Sequence, residues 1–161
     1  MLTLELATTQ QHYEELLNLV CRQNISCLEP KFDWIQLTCD QFGRYFRSTG
    51  STYRIRLNHI LLGLSWVNLM GRTLYIYGII IQPAYQGRGF GQQALELLES
   101  LYQERIDAIE LRVHASNPRA KAFYERLNFE VINYEKDSGF YLVQKKCGSN
   151  MLNRSPVEKC R

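Results

Sequence analysis

Three glycines at alternate positions, Gly87, Gly89 and Gly91, lie between a run of β-branched and aromatic residues and a segment of helical spacing. Without a Cβ at those positions, several main-chain N–H groups can turn toward one external anion. The N-terminal end of the helix that follows adds partial positive charge, and Arg88 adds a full one. No Asp or Glu occurs between Tyr75 and Leu95, so no local carboxylate competes for those donors. The chemistry this suits is the holding of a phosphate or diphosphate. The bland alternative is a glycine-rich turn that caps a helix.

Two familiar phosphate ligands are excluded by what the loop lacks. A dinucleotide fingerprint needs G-x-G-x-x-G, and the third glycine position is Gln92. The acidic residue that should close the next strand is also misplaced, because Glu110 falls in mid-run with Leu111 to His114 still reading as strand. A Walker loop needs Gly-Lys-Ser/Thr, which does not occur.

The elements that must position the loop can be read from period. Residues 2 to 7 alternate and predict a first strand, and Thr9 is placed to cap a helix presenting Tyr13, Leu16, Leu17 and Val20. His12 reads as solvated. Pro30 breaks the pattern from Asn24 to Lys31, and a second helix is expected to start near Asp33, carrying Trp34, Ile35, Leu37, Cys39 and Phe42. Tyr53 to Leu57, Ile60 to Leu69 and Thr73 to Ile81 predict a meander with turns at Asn58-His59 and Met70-Gly71. The helix after the loop should bury Ala94, Leu95, Leu98, Leu101 and Tyr102 and end near Arg105. Ala108 to His114 follows as a strand parallel to the one before the loop. Asn117 with Pro118 opens another helix, Asn128 can take its left-handed stop, and Glu130 to Glu135 pairs with Phe140 to Lys146.

At 161 residues, 45% apolar and 22% charged, the chain reads as one globular domain over 1–146 with a loose polar tail over 147–161. A net charge of +3 is too mild to point to nucleic acid, though it suits an anionic ligand. The longest near-apolar run, Ile60 to Met70, is broken by Gly63, Ser65 and Asn68, which argues against a membrane span. Met1-Leu-Thr-Leu-Glu has no basic start and does not read as a signal peptide. Five cysteines without C-x-x-C, and three scattered histidines, point to reduced thiols in the cytoplasm and to no metal site.

Two motifs in order carry a resemblance: Gln86-x-x-Gly89-x-Gly91, and the run Asn117-Pro-Arg-Ala-Lys-Ala-Phe-Tyr-Glu-Arg-Leu-Asn-Phe ending at Phe129. They resemble the pyrophosphate-binding signature and the second motif of the GNAT superfamily of N-acetyltransferases, over about residues 50 to 145 and most densely from 74 to 131. The usual Leu-Gly-Phe ending is Leu-Asn-Phe here. The resemblance implies an α+β (α/β) fold: a central mixed, mostly antiparallel sheet of six to seven strands, about four helices, and a splay between the fourth and fifth strands. It implies acetyl-coenzyme A as cosubstrate, no metal, a small-molecule or peptide amine as acceptor, and a possible homodimer. The region between the first two strands varies most among relatives and helps to cover the acceptor, so Glu29, Asp33 and Asp40 are candidates to meet an amine there or are ordinary surface charges.

By the same resemblance, the main chain of Ile79, Ile80 and Ile81 faces the pantetheine arm, and the amide near Ile79 faces the thioester. Gln86, Gly87, Arg88, Gly89, Phe90, Gly91 and Gln92 hold the pyrophosphate. Asn117 and Ala120 meet the pantetheine arm, and Arg119 and Lys121 either neutralise the 3′-phosphate or are solvated helix charges. Tyr124 matches the family tyrosine that protonates the leaving thiolate. Acyl transfer to an amine also needs a base, since an alkyl amine is protonated at neutral pH. Here the sequence departs from the family: where some relatives carry a glutamate base this chain has Arg112, and where others carry one it has Tyr75. Glu110 and His114 share a strand face with Arg112, so either can serve, as can a chain of waters. Arg112 in the acceptor slot would favour a substrate bearing a carboxylate. The competing reading is a catalytically silent acyl-coenzyme A-binding or regulatory module.

Overall fold

The computed structural model describes residues 1–22 and 39–148. Seven strands form one sheet in the order β1-β2-β3-β4-β5-β7-β6. They are β1 (Leu2–Leu6), β2 (Ser51–Leu57), β3 (Ile60–Met70), β4 (Thr73–Ile81), β5 (Ala108–His114), β6 (Glu130–Glu135) and β7 (Phe140–Lys146). Among the described residues four α-helices accompany them: α1 (Gln10–Arg22), α2 (Cys39–Ser48), α3 (Phe90–Tyr102) and α4 (Pro118–Arg126). The expected helix start near Asp33, with Trp34, Ile35 and Leu37, and the tail beyond Gly148 lie outside the described residues.

Local chemistry accounts for the joints. Thr9 Oγ1 accepts from the His12 N–H and so caps α1 as its residue type predicts. Asn58 and Gly71 take positive φ in the hairpin turns, where short or absent side chains tolerate it. The second turn falls on Gly71-Arg72, one residue later than expected, because Met70 still pairs with Thr73. Arg54, buried to 8% exposure, bonds Glu15 at 2.9 Å and Glu5 at 3.4 Å, tying α1 to the first two strands.

Every neighbouring pair in the sheet is antiparallel except β4 and β5. Those two pair only through Thr73 with Ala108, Leu74 with Ile109 and Tyr75 with Glu110, and then part. On the other side of β4 the register with β3 slips: Trp66 faces Gly78 while Val67 faces Ile76, which leaves Tyr77 as an extra residue. A bulge of this kind bends its strand and resets which residues share a face. Tyr75, Tyr77 and Ile80 therefore all join one cluster, with Leu16, Phe46, Leu64 and Trp66 under α1 and α2. Ile76 and Ile79 turn to the opposite face, where α3 and α4 cover Leu95, Leu98, Ile109, Leu111 and Phe129.

Two expectations are corrected. Leu101 is 54% exposed, because it lies at the rim of the apolar stripe on the last turn of α3 while Ala94, Leu95, Leu98 and Tyr102 face the sheet. Cys147, expected to open the tail, is buried and its N–H donates to the Asp107 carbonyl, so strand-like pairing outlasts β7 by a residue. The end of α4 follows the sequence: Phe129 N–H reaches the Tyr124 carbonyl at 3.1 Å, Asn128 N–H reaches Glu125 at 3.1 Å, and Asn128 has φ 67°. This is a Schellman stop with its usual apolar contact, here between Tyr124 and Phe129. Asn128→Gly should change unfolding free energy by less than about 1 kcal/mol, whereas Asn128→Val should cost about 1–2 kcal/mol in a urea titration.

Candidate active site

The glycine loop leaves β4 through a single 3₁₀ turn, Pro83–Tyr85, and enters α3 at Gly89. Gly87 (φ 73°) and Gly89 (φ 79°) hold left-handed backbone that a side chain would strain. The space a Cβ would take at Gly87 is open, and at Gly89 it would meet only the end of Gln93 at 3.9 Å. Among the described residues, no main-chain carbonyl accepts from the N–H groups of Gly87, Arg88, Gly89, Phe90, Gly91 or Gln92. No acidic residue lies in the first turn of α3, and Arg88 is exposed. The loop is braced from behind: Gln86 Nε2 donates to the Ile81 carbonyl at 2.8 Å, and Phe90 packs against the core. The Gln92 side chain donates to Glu96 at 2.9 Å and so does not cover the loop's main chain.

The second motif lies close by. A Cβ on Gly91 would touch Phe123 in the second turn of α4 at 3.8 Å, so the start of α3 lies against the side of α4. Asn117 caps α4 by accepting from the Ala120 N–H at 3.0 Å, and Ala120 packs on the core below. Arg119 is exposed, while Lys121 is paired with Glu125 on the same helix. Tyr124 packs edge-on to Phe123 and Phe129, and its hydroxyl has no hydrogen-bond partner among the described residues. Desolvation pushes its phenol up to about 12, so it stays protonated across the neutral range.

β5 sends Glu110, Arg112 and His114 to the face shared with Tyr75 and Tyr77, on the far side of the sheet from α3. Glu110 stands at the last rung before the strands part, and its Oε1 accepts from Gln144 Nε2 at 2.7 Å. Arg112 is held on two sides. Its Nε donates to Glu135 Oε1 at 2.8 Å, and its Nη1 crosses to the Tyr75 hydroxyl at 3.1 Å. Glu135 also accepts from Ser138, and the Arg112 guanidinium holds its carboxyl below the usual value. His114 is exposed and packs on Phe140, and its Nδ1 accepts from the Ser116 N–H at 3.1 Å. The same nitrogen lies 2.6 Å from the Ser116 hydroxyl, so Ser116 engages Nδ1 through both its main chain and its side chain. Glu110 keeps a second carboxylate oxygen that no group claims among the described residues.

The profile of the Acetyltransferase (GNAT) family matches residues 13–129, well over half of the chain. The chain belongs to that family. Its fold is the GNAT fold: the chain is similar to the ribosomal-protein-S18-alanine N-acetyltransferase from Escherichia coli (TM-score 0.67, 18% identity, 93% of this chain and 98% of that one). It is also similar to spermidine N-acetyltransferase from Vibrio cholerae, solved in complex with CoA and spermine (TM-score 0.68, 21% identity, 90% and 95% covered). In sequence it is 36% identical over 81 residues to mycothiol acetyltransferase of Mycolicibacterium gilvum (strain PYR-GCK). The match takes in 45% of this chain and spans about a quarter, 26%, of that relative's length. Among the described residues no group of three or more His, Cys, Asp or Glu could share a metal ion, and no helix is long and apolar enough to cross a membrane.

Sequence reasoning did not find Glu135 or Gln144. The only available signal was the predicted pairing of β6 with β7, which brings residues 23 and 34 positions away onto the β5 face. For Tyr124 the folded-state pKa of about 12 exceeds the ordinary tyrosine value of about 10. The folded state therefore binds that proton more tightly, and the associated stability is whole below pH about 10 and lost as pH rises through about 12. Relative to Tyr124→Phe, the unvaried protein should lose unfolding free energy between pH about 9 and 11, as urea titrations at the two values would show.

Proposed function

We propose that this member of the GNAT family transfers an acetyl group from acetyl-coenzyme A to a primary amine of a small molecule or peptide, by direct attack in a ternary complex. The observation that carries the reading is the row of main-chain N–H groups from Gly87 to Gln92 that no carbonyl among the described residues claims, at a helix start without acids. Such a row fits a diphosphate, and Arg88 supplies a cation beside it. Arg119, exposed at the start of α4, is the candidate for the 3′-phosphate; Lys121 is already engaged by Glu125. Among the described residues β4 beyond Tyr75 has no strand beside it on the β5 side, so the main chain of Ile79, Ile80 and Ile81 is the natural partner for the pantetheine amides. Asn117 and Ala120 border the same space from α4.

In the reaction the amine nitrogen bonds to the thioester carbon, the carbon–sulfur bond breaks, and two protons must move. Glu110 accepts the amine proton through its free oxygen or one water, and Tyr124 protonates the departing sulfur. A strand amide near Ile79 stabilises the transient oxyanion. We assign the base to Glu110 over His114 because the imidazole Nδ1 is taken by Ser116. The five cysteines, without C-x-x-C spacing, support a cytoplasmic setting.

Thiol release from acetyl-coenzyme A across a panel of amines, amino acids, polyamines and peptides tests the reading. Stabilisation by the cofactor with no release on any acceptor would favour the silent binding module. Gly89→Val, forcing a β-branched residue to φ 79°, should lower acetyl-coenzyme A affinity by about tenfold or more in calorimetry while circular dichroism stays unchanged. Tyr124→Phe should lower kcat about a hundredfold with KM for the cofactor within about threefold.

A further inference from the structure

We propose that Glu135 sets which charge the acceptor may carry: by neutralising Arg112 it leaves Glu110 as the dominant charge on the acceptor wall of β5, so the substrate is an amine without a neighbouring carboxylate. This inference rests on the transferase reading above. Arg112 alone would make the opposite choice, since a guanidinium beside the parting strands would attract an acid.

The geometry decides between them. Arg112 Nε meets Glu135 Oε1 at 2.8 Å, and Ser138 Oγ holds the other carboxylate oxygen at 2.9 Å, so the anion is fixed and not merely near. The Arg112 and Glu135 side chains are about one-third exposed, at 35% and 30%, and the pair presents a dipole to the slot in place of a net charge. Its second arm bonds the Tyr75 hydroxyl at 3.1 Å and lies 5.9 Å from the centre of that ring, which turns the guanidinium down onto β4. Glu110, two residues away on the same face and so about 7 Å along the strand, has a neutral partner in Gln144 and no cation among the described residues. Lys146 stands beside Ala108 on that face, but below the last paired rung and exposed to solvent. Among the described residues of β5, Glu110 is therefore the carboxylate left without a cationic partner, and Glu130, in register beyond Gln144 on β6, adds the same sign; such a face draws an ammonium group in and repels a carboxylate attached to it.

The test measures acetylation of glycine, alanine and phenylalanine, each as free acid and as amide, at amine-saturating pH. Differences in amine basicity cancel when the acid-to-amide ratio of kcat/KM is compared between protein variants. Glu135→Gln keeps an acceptor for Arg112 Nε and removes the charge. It should raise that ratio by about tenfold, the effect of one full charge at this spacing in partly exposed protein. The Arg112→Gln, Glu135→Gln double variant should return the ratio to within about twofold of the unvaried protein, an outcome that loss of packing would not produce. A ratio that stays the same or falls in Glu135→Gln overturns the inference, as does failure of the unvaried protein to acetylate any of the amides. Calorimetry with acetyl-coenzyme A separates the two levels: no cofactor binding by the unvaried protein sinks the transferase reading itself, whereas intact binding with an unmoved ratio sinks only the role of Glu135.

Discussion

The structure depends on two parallel strands that stop hydrogen-bonding while both continue. β4 and β5 share three rungs, ending at Tyr75 and Glu110, and beyond them the facing main-chain groups of both strands have no strand partner among the described residues. Bare backbone donors and acceptors of this kind are costly unless water or a ligand satisfies them, so a splay is an opening that asks for something polar and extended. Its cause lies on the other side of β4. The extra residue at Tyr77 adds local bend and twist where β4 pairs with β3, and β5 cannot follow because β7 holds it along its full length from Ala108 to His114. The bulge and the β5–β7 ladder pull β4 and β5 apart.

The glycine loop and the wall of β5 exploit that opening by different means. At the loop the donors are main-chain amides, and what matters about Gly87 and Gly89 is the positive φ and the open space beside them. On the wall the groups are side chains from four strands: Tyr75 of β4, Glu110, Arg112 and His114 of β5, Glu135 of β6 and Gln144 of β7. The bond from Arg112 to Tyr75 crosses the splay and joins the two strands at the point where their ladder ends. It fixes the width of the opening at its floor while leaving the upper part of β4 unpartnered.

How much of this could be read from sequence follows from the same division. The strand, loop and helix around Gly89, the cap at Asn117 and the left-handed stop at Asn128 are local, each set by residues within a turn of one another, and they stand where the sequence places them. The parallel run of β4 and β5 was legible because a helix intervenes between them. Leu101 was misplaced because periodicity gives a stripe and not the limits of the sheet beneath its rim. The pairing of Arg112 could not be read for a related reason. Its charge could be read, but its partner is 23 residues away on a strand it does not directly pair with, reached across β7. No local pattern encodes that meeting. The likeness to solved acetyltransferases at 18% and 21% identity adds the fold and nothing about the wall.

A consequence is that the two halves of the site should answer to sequence change differently. An anion cradle built from amides would tolerate almost any side chain at its non-glycine positions, since the donor is present whatever the residue. A wall built from paired side chains does not. On the reading proposed above, exchanging Glu135 for a neutral residue would leave the Arg112 charge uncompensated and exchanging Arg112 as well would remove both charges, so acceptor choice would change by coupled steps. The buried aromatic cluster of Phe46, Trp66, Tyr75 and Tyr77 beneath the wall makes such steps tolerable. Ring packing, edge-on for Phe46 with Trp66 and for Tyr75 with Tyr77 and tilted for Trp66 with Tyr77, and the Trp66 bond to the Thr49 carbonyl hold the floor in place, and Arg112 meets it at the Tyr75 hydroxyl.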